Sequence, residues 1–205
     1  MTEQNKWVEL TTADPEHSTW YVQRFRQMAA EGADLVGEVR FVDAMAPRRA
    51  RILDAGCGPG RHGGYLAALG HEVVGVDVDP VLIAAAEEDF PGPTWRVGDL
   101  AELDLPAAGI PEGFDVILCA GNVMTFLAPS TRREVLRRME AHLNPEGRAA
   151  VGFGTERGYA VEEFLADVRA AGLQEEVLLS TWDLRPYDGQ SDFLVAVLGR
   201  QGLRS

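Results

Sequence analysis

Three glycines and three carboxylates stand where they could do chemistry together. Asp54, Gly56, Gly58 and Gly60 follow the short apolar run Arg51-Ile52-Leu53, giving Asp-x-Gly-x-Gly-x-Gly. Glycine takes backbone angles closed to other residues and lets a ligand approach the main chain. A helix pattern begins just beyond, from about Arg61 to Leu69, with Gly70 placed as its C-terminal stop. Strand, glycine turn and helix together open a nucleotide-type site, with free N–H groups at the helix start. Asp77 ends a second apolar run 21 residues after Gly56. That is the distance at which an acidic residue meets ribose hydroxyls in βαβ nucleotide sites. A carboxylate can accept from both hydroxyls at once. The third carboxylate is Asp99, in Gly98-Asp99-Leu100 after the short run Thr94-Trp95-Arg96-Val97.

Glycine spacing separates two cofactor classes. A dinucleotide fingerprint is G-x-G-x-x-G, and its third glycine would fall at position 61, which is Arg61. The glycine stands at position 60 instead, which weighs against an NAD(P)-linked oxidoreductase without removing it. The pattern Asp54-x-Gly56-x-Gly58-x-Gly60 resembles motif I of the class I S-adenosylmethionine (SAM) dependent methyltransferases. The resemblance implies that Asp54 and the main chain at Gly56 and Gly58 hold the methionine end of SAM, with Cys57, Arg61 and Val78 also at the cofactor. It places Asp77 at the ribose, and Asp99 and the Leu100 N–H at the adenine. Ala120, Gly121 and Asn122, after the fourth strand, border the cofactor, and Phe126 borders the acceptor. The Leu-x-Pro-x-Gly run at Leu143 to Gly147 also resembles this family. A non-catalytic SAM-binding protein on the same fold stays open, because fold does not dictate activity.

Bulk properties narrow the partners. A 205-residue chain, 46% hydrophobic and 25% charged, is consistent with one globular domain over 1–205. The net charge of −13 argues against a general nucleic-acid binder, which neutralises phosphates with basic residues. No Asn-Pro-Pro-Tyr or Asp-Pro-Pro-Tyr follows the fourth strand, and no Pro-Cys occurs. The amino-methylases of nucleic acids and the covalent cytosine route therefore lack their residues. Cys57 and Cys119 form no C-x-x-C pair and no H-E-x-x-H is present, so no metal site is expected. No apolar run reaches the roughly 20 residues of a membrane span. No signal-peptide pattern opens the sequence, and the expected location is the cytoplasm.

The elements that must position these residues alternate β-α-β-α. Residues 1–48 are expected as a helical cap and 49–200 as the cofactor-binding core. In the cap, Asp14-Pro15 looks like an N-cap and first-turn proline for a helix through Tyr21, Phe25 and Met28. A second helix carries Leu35, Val39, Val42 and Met45 and stops at Pro47. Trp20, Tyr21 and Phe25 are candidates to cover a sulfonium or a flat substrate. Asp79-Pro80 repeats the cap-plus-proline pattern ahead of Val81 to Ala86. Thr131-x-x-Glu134 reads as a capping box, and Asn144-Pro145-Glu146-Gly147 as a β-turn. Strands are expected from His71 to Asp77, Phe114 to Ala120, Arg148 to Phe153, Glu176 to Trp182 and Asp192 to Leu198. The fold class is α/β, Rossmann-like and mostly parallel. The resemblance implies strand order 3-2-1-4-5-7-6, with the last strand antiparallel.

Methyl transfer is an in-line displacement, and orientation alone can supply roughly 7–11 kcal/mol of barrier lowering. No catalytic acid or base is therefore assigned. Of His17, His62, His71 and His142, only His62, beside the glycine turn, merits a test as a base. The acceptor is expected to be a small molecule, contacted by Tyr21, Phe126 and Arg185. Arg185 lies in the loop 182–188 after the sixth strand, where its guanidinium could bind a carboxylate or pair with Asp183 or Asp188.

Overall fold

The computed structural model describes residues 4–110 and 113–202. Its strands are β1 (Arg51–Ala55), β2 (Glu72–Asp77), β3 (Thr94–Val97), β4 (Phe114–Cys119), β5 (Leu143–Gly154), β6 (Leu173–Leu179) and β7 (Phe193–Arg200). They form one sheet in the order β3-β2-β1-β4-β5-β7-β6. All neighbouring pairs are parallel except those of β7, which runs antiparallel to β5 and β6. Both the order and the antiparallel last strand are as expected from the resemblance.

Side-chain alternation along the strands feeds two cores. Leu53 and Ala55 of β1, with Ile117 and Cys119 of β4, face a layer of α7 (Arg132–His142) and α8 (Val161–Ala170). Ile52, Val116 and Leu118 face the other side, against α3 (Gly37–Met45) and Leu66 of α4 (Arg61–Ala68). Above β2 and β3 sits α5 (Pro80–Asp89). Its start is set by Asp79, whose side chain accepts from Val81 N at 2.8 Å, with Pro80 in the first turn. The strand order reverses between β1 and β4, and such reversals open a crevice beyond the carboxyl ends of the strands. Among the described residues no helix is long and apolar enough to cross a membrane.

Several local expectations need correction. The chain begins with an unexpected helix, α1 (Lys6–Ala13), capped by Asn5 Oδ1 accepting from Trp7 N at 2.9 Å. Asp14-Pro15 closes α1 and turns the chain rather than capping α2 (His17–Ala30). The capping box at Thr131 does not form. Thr131 ends a 3-10 turn and donates to Ala128 O, while Glu134 pairs with Arg137 and Arg138. Residues 144–147 are extruded within β5 instead of forming a turn ahead of it. Leu143 pairs with Phe114 and Arg148 with Val116, leaving four residues opposite Asp115. Asn144 Nδ2 donates to Asp115 Oδ1 across this bulge at 2.8 Å. β6 starts and ends three residues earlier than expected, so Trp182 lies in the loop.

Candidate functional site

The glycine turn is shaped by contacts from below. Gly56, Gly58 and Gly60 all have positive φ. Gly56 N and Cys57 N both donate to Val76 O, at 2.8 and 3.1 Å, which ties the turn to β2. A Cβ on Gly56 would lie 2.3 Å from Val123 Cγ2, and one on Gly60 would lie 2.6 Å from Ala86 Cβ. Gly58 differs: an added Cβ would meet only Tyr21, at 3.9 Å. Two of the glycines are thus needed for close packing, while the turn's upper side lies open to a ligand beneath Tyr21.

The acidic residues divide into support and site. Asp54 is buried and its Oδ2 accepts from Gly63 N at 2.9 Å, joining β1 to the first turn of α4. Burial raises its pKa, with His62 and the Gly63 N–H acting in the opposite direction. Asp54 is absent from the cavity lining and lies under the turn. Asp77 closes β2 with Oδ2 accepting from Gly58 N (2.8 Å) and Oδ1 accepting from Asp79 N (3.0 Å). Burial lifts its pKa to about 6, and the two N–H donors pull against that rise. Asp99 is exposed at the cavity edge and accepts from Ala101 N at 2.8 Å, so it also caps the 3-10 turn Leu100–Glu102.

One cavity of about 550 Å³ joins these pieces. Its floor is made by the segments just beyond β1, β2, β3 and β4: Gly56 to Pro59, Val78, Gly98 to Leu100, and Ala120 to Val123. Every cofactor and acceptor residue expected from sequence lines it, apart from Asp54 and Arg185. Arg185 does not reach the cavity. It is exposed and its Nε lies 3.4 Å from Asp183 Oδ2, which is the surface pairing. Leu100 is buried in the core and borders the cavity. Asn122, at φ 68°, spends its Oδ1 on Gly154 N at 2.8 Å, bracing the ends of β4 and β5. The Cys57 thiol is buried and its pKa raised by that burial, next by Asp54 and Asp77, so it packs as an apolar group.

The roof comes from α1, α2 and α6 (Val123–Phe126), and no sequence signal marks the share of α1. Trp7 meets His17, Tyr21 and Phe126 edge-on, at centroid distances of 5.2, 5.1 and 5.9 Å. Tyr21 continues the contact to Phe25 at 4.9 Å, and Arg61 lies 5.2 Å above the Phe25 ring. Arg61 also donates to Leu35 O and sits 3.2 Å from Glu38 Oε1, holding the α2–α3 connection. Two hydrogen bonds latch the roof down: Trp7 Nε1 (2.7 Å) and Ser18 Oγ both donate to Asp79 Oδ2. His17, Arg24 and Arg157 line the same cavity. His62 lines it too, 7% exposed, its Nε2 3.4 Å from Glu38 Oε1 and making no hydrogen bond among the described residues. Burial opposes charge on Glu38, but His62 and Arg61 outweigh it and hold the carboxyl well below its ordinary range. His71 and His142 are structural, the first accepting from Ala50 N and the second from Leu105 N. A glycine turn open on its upper side, with the Asp77 carboxylate beside it in the same cavity, fits SAM.

Comparison with known proteins decides the family. Residues 52–147 match the methyltransferase-domain family model. A TehB-like SAM-dependent methyltransferase of known structure from Corynebacterium glutamicum is 48% identical, with a TM-score of 0.86. It aligns over 92% of this chain and 100% of its own. The chain belongs to the class I SAM-dependent methyltransferase family. The chain is also 34% identical over 135 residues to the magnesium-protoporphyrin O-methyltransferase of Rhodobacter capsulatus, covering 62% of this chain and 54% of that one. It is 29% identical over 146 residues to a Streptomyces fradiae dTDP-amino-sugar N,N-dimethyltransferase, covering 71% and 52%. The chain spans about half the length of the curated relatives it matches. The methyltransferase family uses SAM, which removes the NAD(P) alternative that the glycine spacing had left standing.

Proposed function

We propose that this chain transfers a methyl group from SAM to a small-molecule acceptor inside the cavity between the glycine turn and the aromatic roof. The observation that carries this reading is the convergence of the Gly56–Gly60 turn, Asp77 and Asp99 on one cavity covered by Trp7, Tyr21 and Phe126. Its volume of about 550 Å³ lies within the roughly 300–1,000 Å³ of small-molecule sites. We read residues 1–205 as a single methyltransferase unit, with 1–48 as the cap and 49–200 as the core.

SAM, when bound, supplies a methyl group on a sulfonium that is itself the leaving group. The residues of this chain would orient and enclose. Asp77 would accept from the ribose, and Asp99 with the Leu100 main chain would meet the adenine. Gly56, Cys57 and Gly58 would offer main chain to the methionine end, with Val78, Ala120 and Gly121 as walls. Tyr21 and Phe126 would exclude water beside the acceptor, which strengthens alignment as a source of rate. No residue is assigned as a general base. Incubating the protein with methyl-labelled SAM and metabolite mixtures tests the reading. Label in an acceptor of low molecular mass is expected, whereas label found only in nucleic acid or protein would refute it.

A further inference from the structure

The fate of the arginines points to a property of the acceptor. The chain carries 32 acidic residues against 19 lysines and arginines, and most described arginines are paired with a carboxylate. Arg26, Arg40, Arg133, Arg138 and Arg200 are examples, all within 3.0 Å of one. Others donate to a main-chain carbonyl, as Arg96 and Arg148 do. Among the described residues, the guanidinium groups of only Arg24, Arg49 and Arg157 make neither kind of contact. Two of those three, Arg24 and Arg157, line the cavity. The third lies in the connection ahead of β1.

Both are presented by fixed elements. Arg24 lies on α2 with its guanidinium 5.7 Å from the Trp20 ring centroid. Arg157 follows β5, in a turn held from beneath by a buried guanidinium. Arg132, 2% exposed, donates Nη2 to Gly158 O at 2.9 Å and lies 4.1 Å over the Tyr159 ring. Thr155 N donates to Asp192 O at 2.8 Å on the other side of the turn. Neither guanidinium forms an ion pair with an acid of the cavity: Asp77 accepts from Gly58 N and Asp79 N, and Asp99 from Ala101 N.

We propose that the methyl acceptor is an anion with a flat apolar body, its carboxylate held by Arg24 and Arg157 and its body against Trp7 and Phe126. This rests on the reading of the cavity as a methyltransferase site. A guanidinium presents parallel N–H donors that match a carboxylate, and aromatic rings suit a planar body. The arginines also make an acidic protein locally attractive to a negatively charged ligand.

The test uses matched probes on protein saturated with S-adenosylhomocysteine: salicylate, 4-hydroxybenzoate and cinnamate, each against its neutral amide, titrated by calorimetry or ligand-observed NMR. Acids are expected to bind roughly tenfold or more tightly than their amides, the range for a charged hydrogen bond. The variants R24Q, R157Q and R24Q/R157Q should erase this preference progressively. Neither side chain has a carboxylate or carbonyl partner to lose, so melting temperatures should hold. Failure of every acid to bind, equal binding of acid and amide, or a preference that survives in R24Q/R157Q would overturn the proposal. Failure of the methyltransferase reading is distinguishable, because S-adenosylhomocysteine would then not bind, or would bind while methyl-labelled SAM labelled no acceptor.

Discussion

The floor and the roof of the cavity are built by different means. The floor is main chain: a glycine turn hydrogen-bonded to Val76 O and packed so closely that Gly56 and Gly60 have no room for a side chain. The roof is side chain: Trp7, Tyr21, Phe25 and Phe126 meet edge-on and are pinned at one carboxylate, Asp79. Two aspartates two residues apart thus serve opposite walls. Asp77 faces the glycine turn, and Asp79 holds the helices above it. A floor fixed by the sheet should hold its shape with or without ligand. A roof held to the sheet by side-chain contacts is expected to be the looser of the two walls.

The sharpest division of the two walls is D77A. Loss of charge-assisted hydrogen bonds to the ribose costs about 1.5–3 kcal/mol, or roughly 10- to 150-fold in SAM affinity. Calorimetry on the variant reads this directly. Affinity within a few fold of wild type would show that the floor holds SAM without its carboxylate.

The same group makes binding and stability diverge with pH. Burial raises the Asp77 pKa to about 6 from an ordinary carboxyl value, so the folded free protein keeps a proton that the unfolded chain releases at lower pH. Through this group the free protein is favoured at low pH. That contribution, on the order of 3 kcal/mol, is lost as pH rises from about 4 through 6. SAM binding needs the carboxylate and should strengthen over the same interval. Titrations from pH 5 to 8 are expected to show affinity rising through pH 6 in wild type and flat in D77N. A wild-type profile as flat as that of D77N would contradict the assignment.

D79A addresses the roof. The lost cap costs about 0.5–2 kcal/mol, and Trp7 Nε1 and Ser18 Oγ lose their acceptor as well. Hydrogen exchange should quicken in Lys6–Ala13, and SAM affinity should fall a few fold, well short of the D77A effect. Unchanged exchange in α1 would mean that the ring contacts hold the roof unaided.

The smallest effect is expected from R185A. An exposed ion pair with Asp183 contributes little. SAM affinity, acceptor kinetics and melting temperature should all match wild type, and a change in acceptor KM would return that loop to the site.

This contrast also explains what the sequence could tell. The floor depends on backbone geometry, which only particular residues permit at fixed spacing, so Gly56, Gly58, Gly60 and Asp77 are readable as a pattern. Strand order followed from the same resemblance. The roof depends on where separate helices come to rest. Lys6–Ala13 is short, rich in branched residues and has no fully buried residue, so no apolar periodicity marks it. Beyond His17 and Tyr21, Trp7 meets Asp79, 72 residues away, and Phe126, further still. One local motif misled because another local pairing won: Glu134 left its capping role for Arg137 and Arg138, three and four residues on along the same helix. Asp54 belongs to the glycine pattern but faces Gly63 rather than the cavity. Arg157 carried no local signal, because its place depends on the buried Arg132 beneath its turn.

The central claim is that the floor of this cavity binds SAM through Asp77 and the glycine turn. Titration of SAM and of NAD into wild type and D77A tests it most directly. Binding of SAM in the micromolar range typical of metabolites, sharply weakened in D77A, with no heat from NAD, is the predicted result. No binding of SAM to the wild-type protein, or binding that D77A leaves unchanged, would contradict the account.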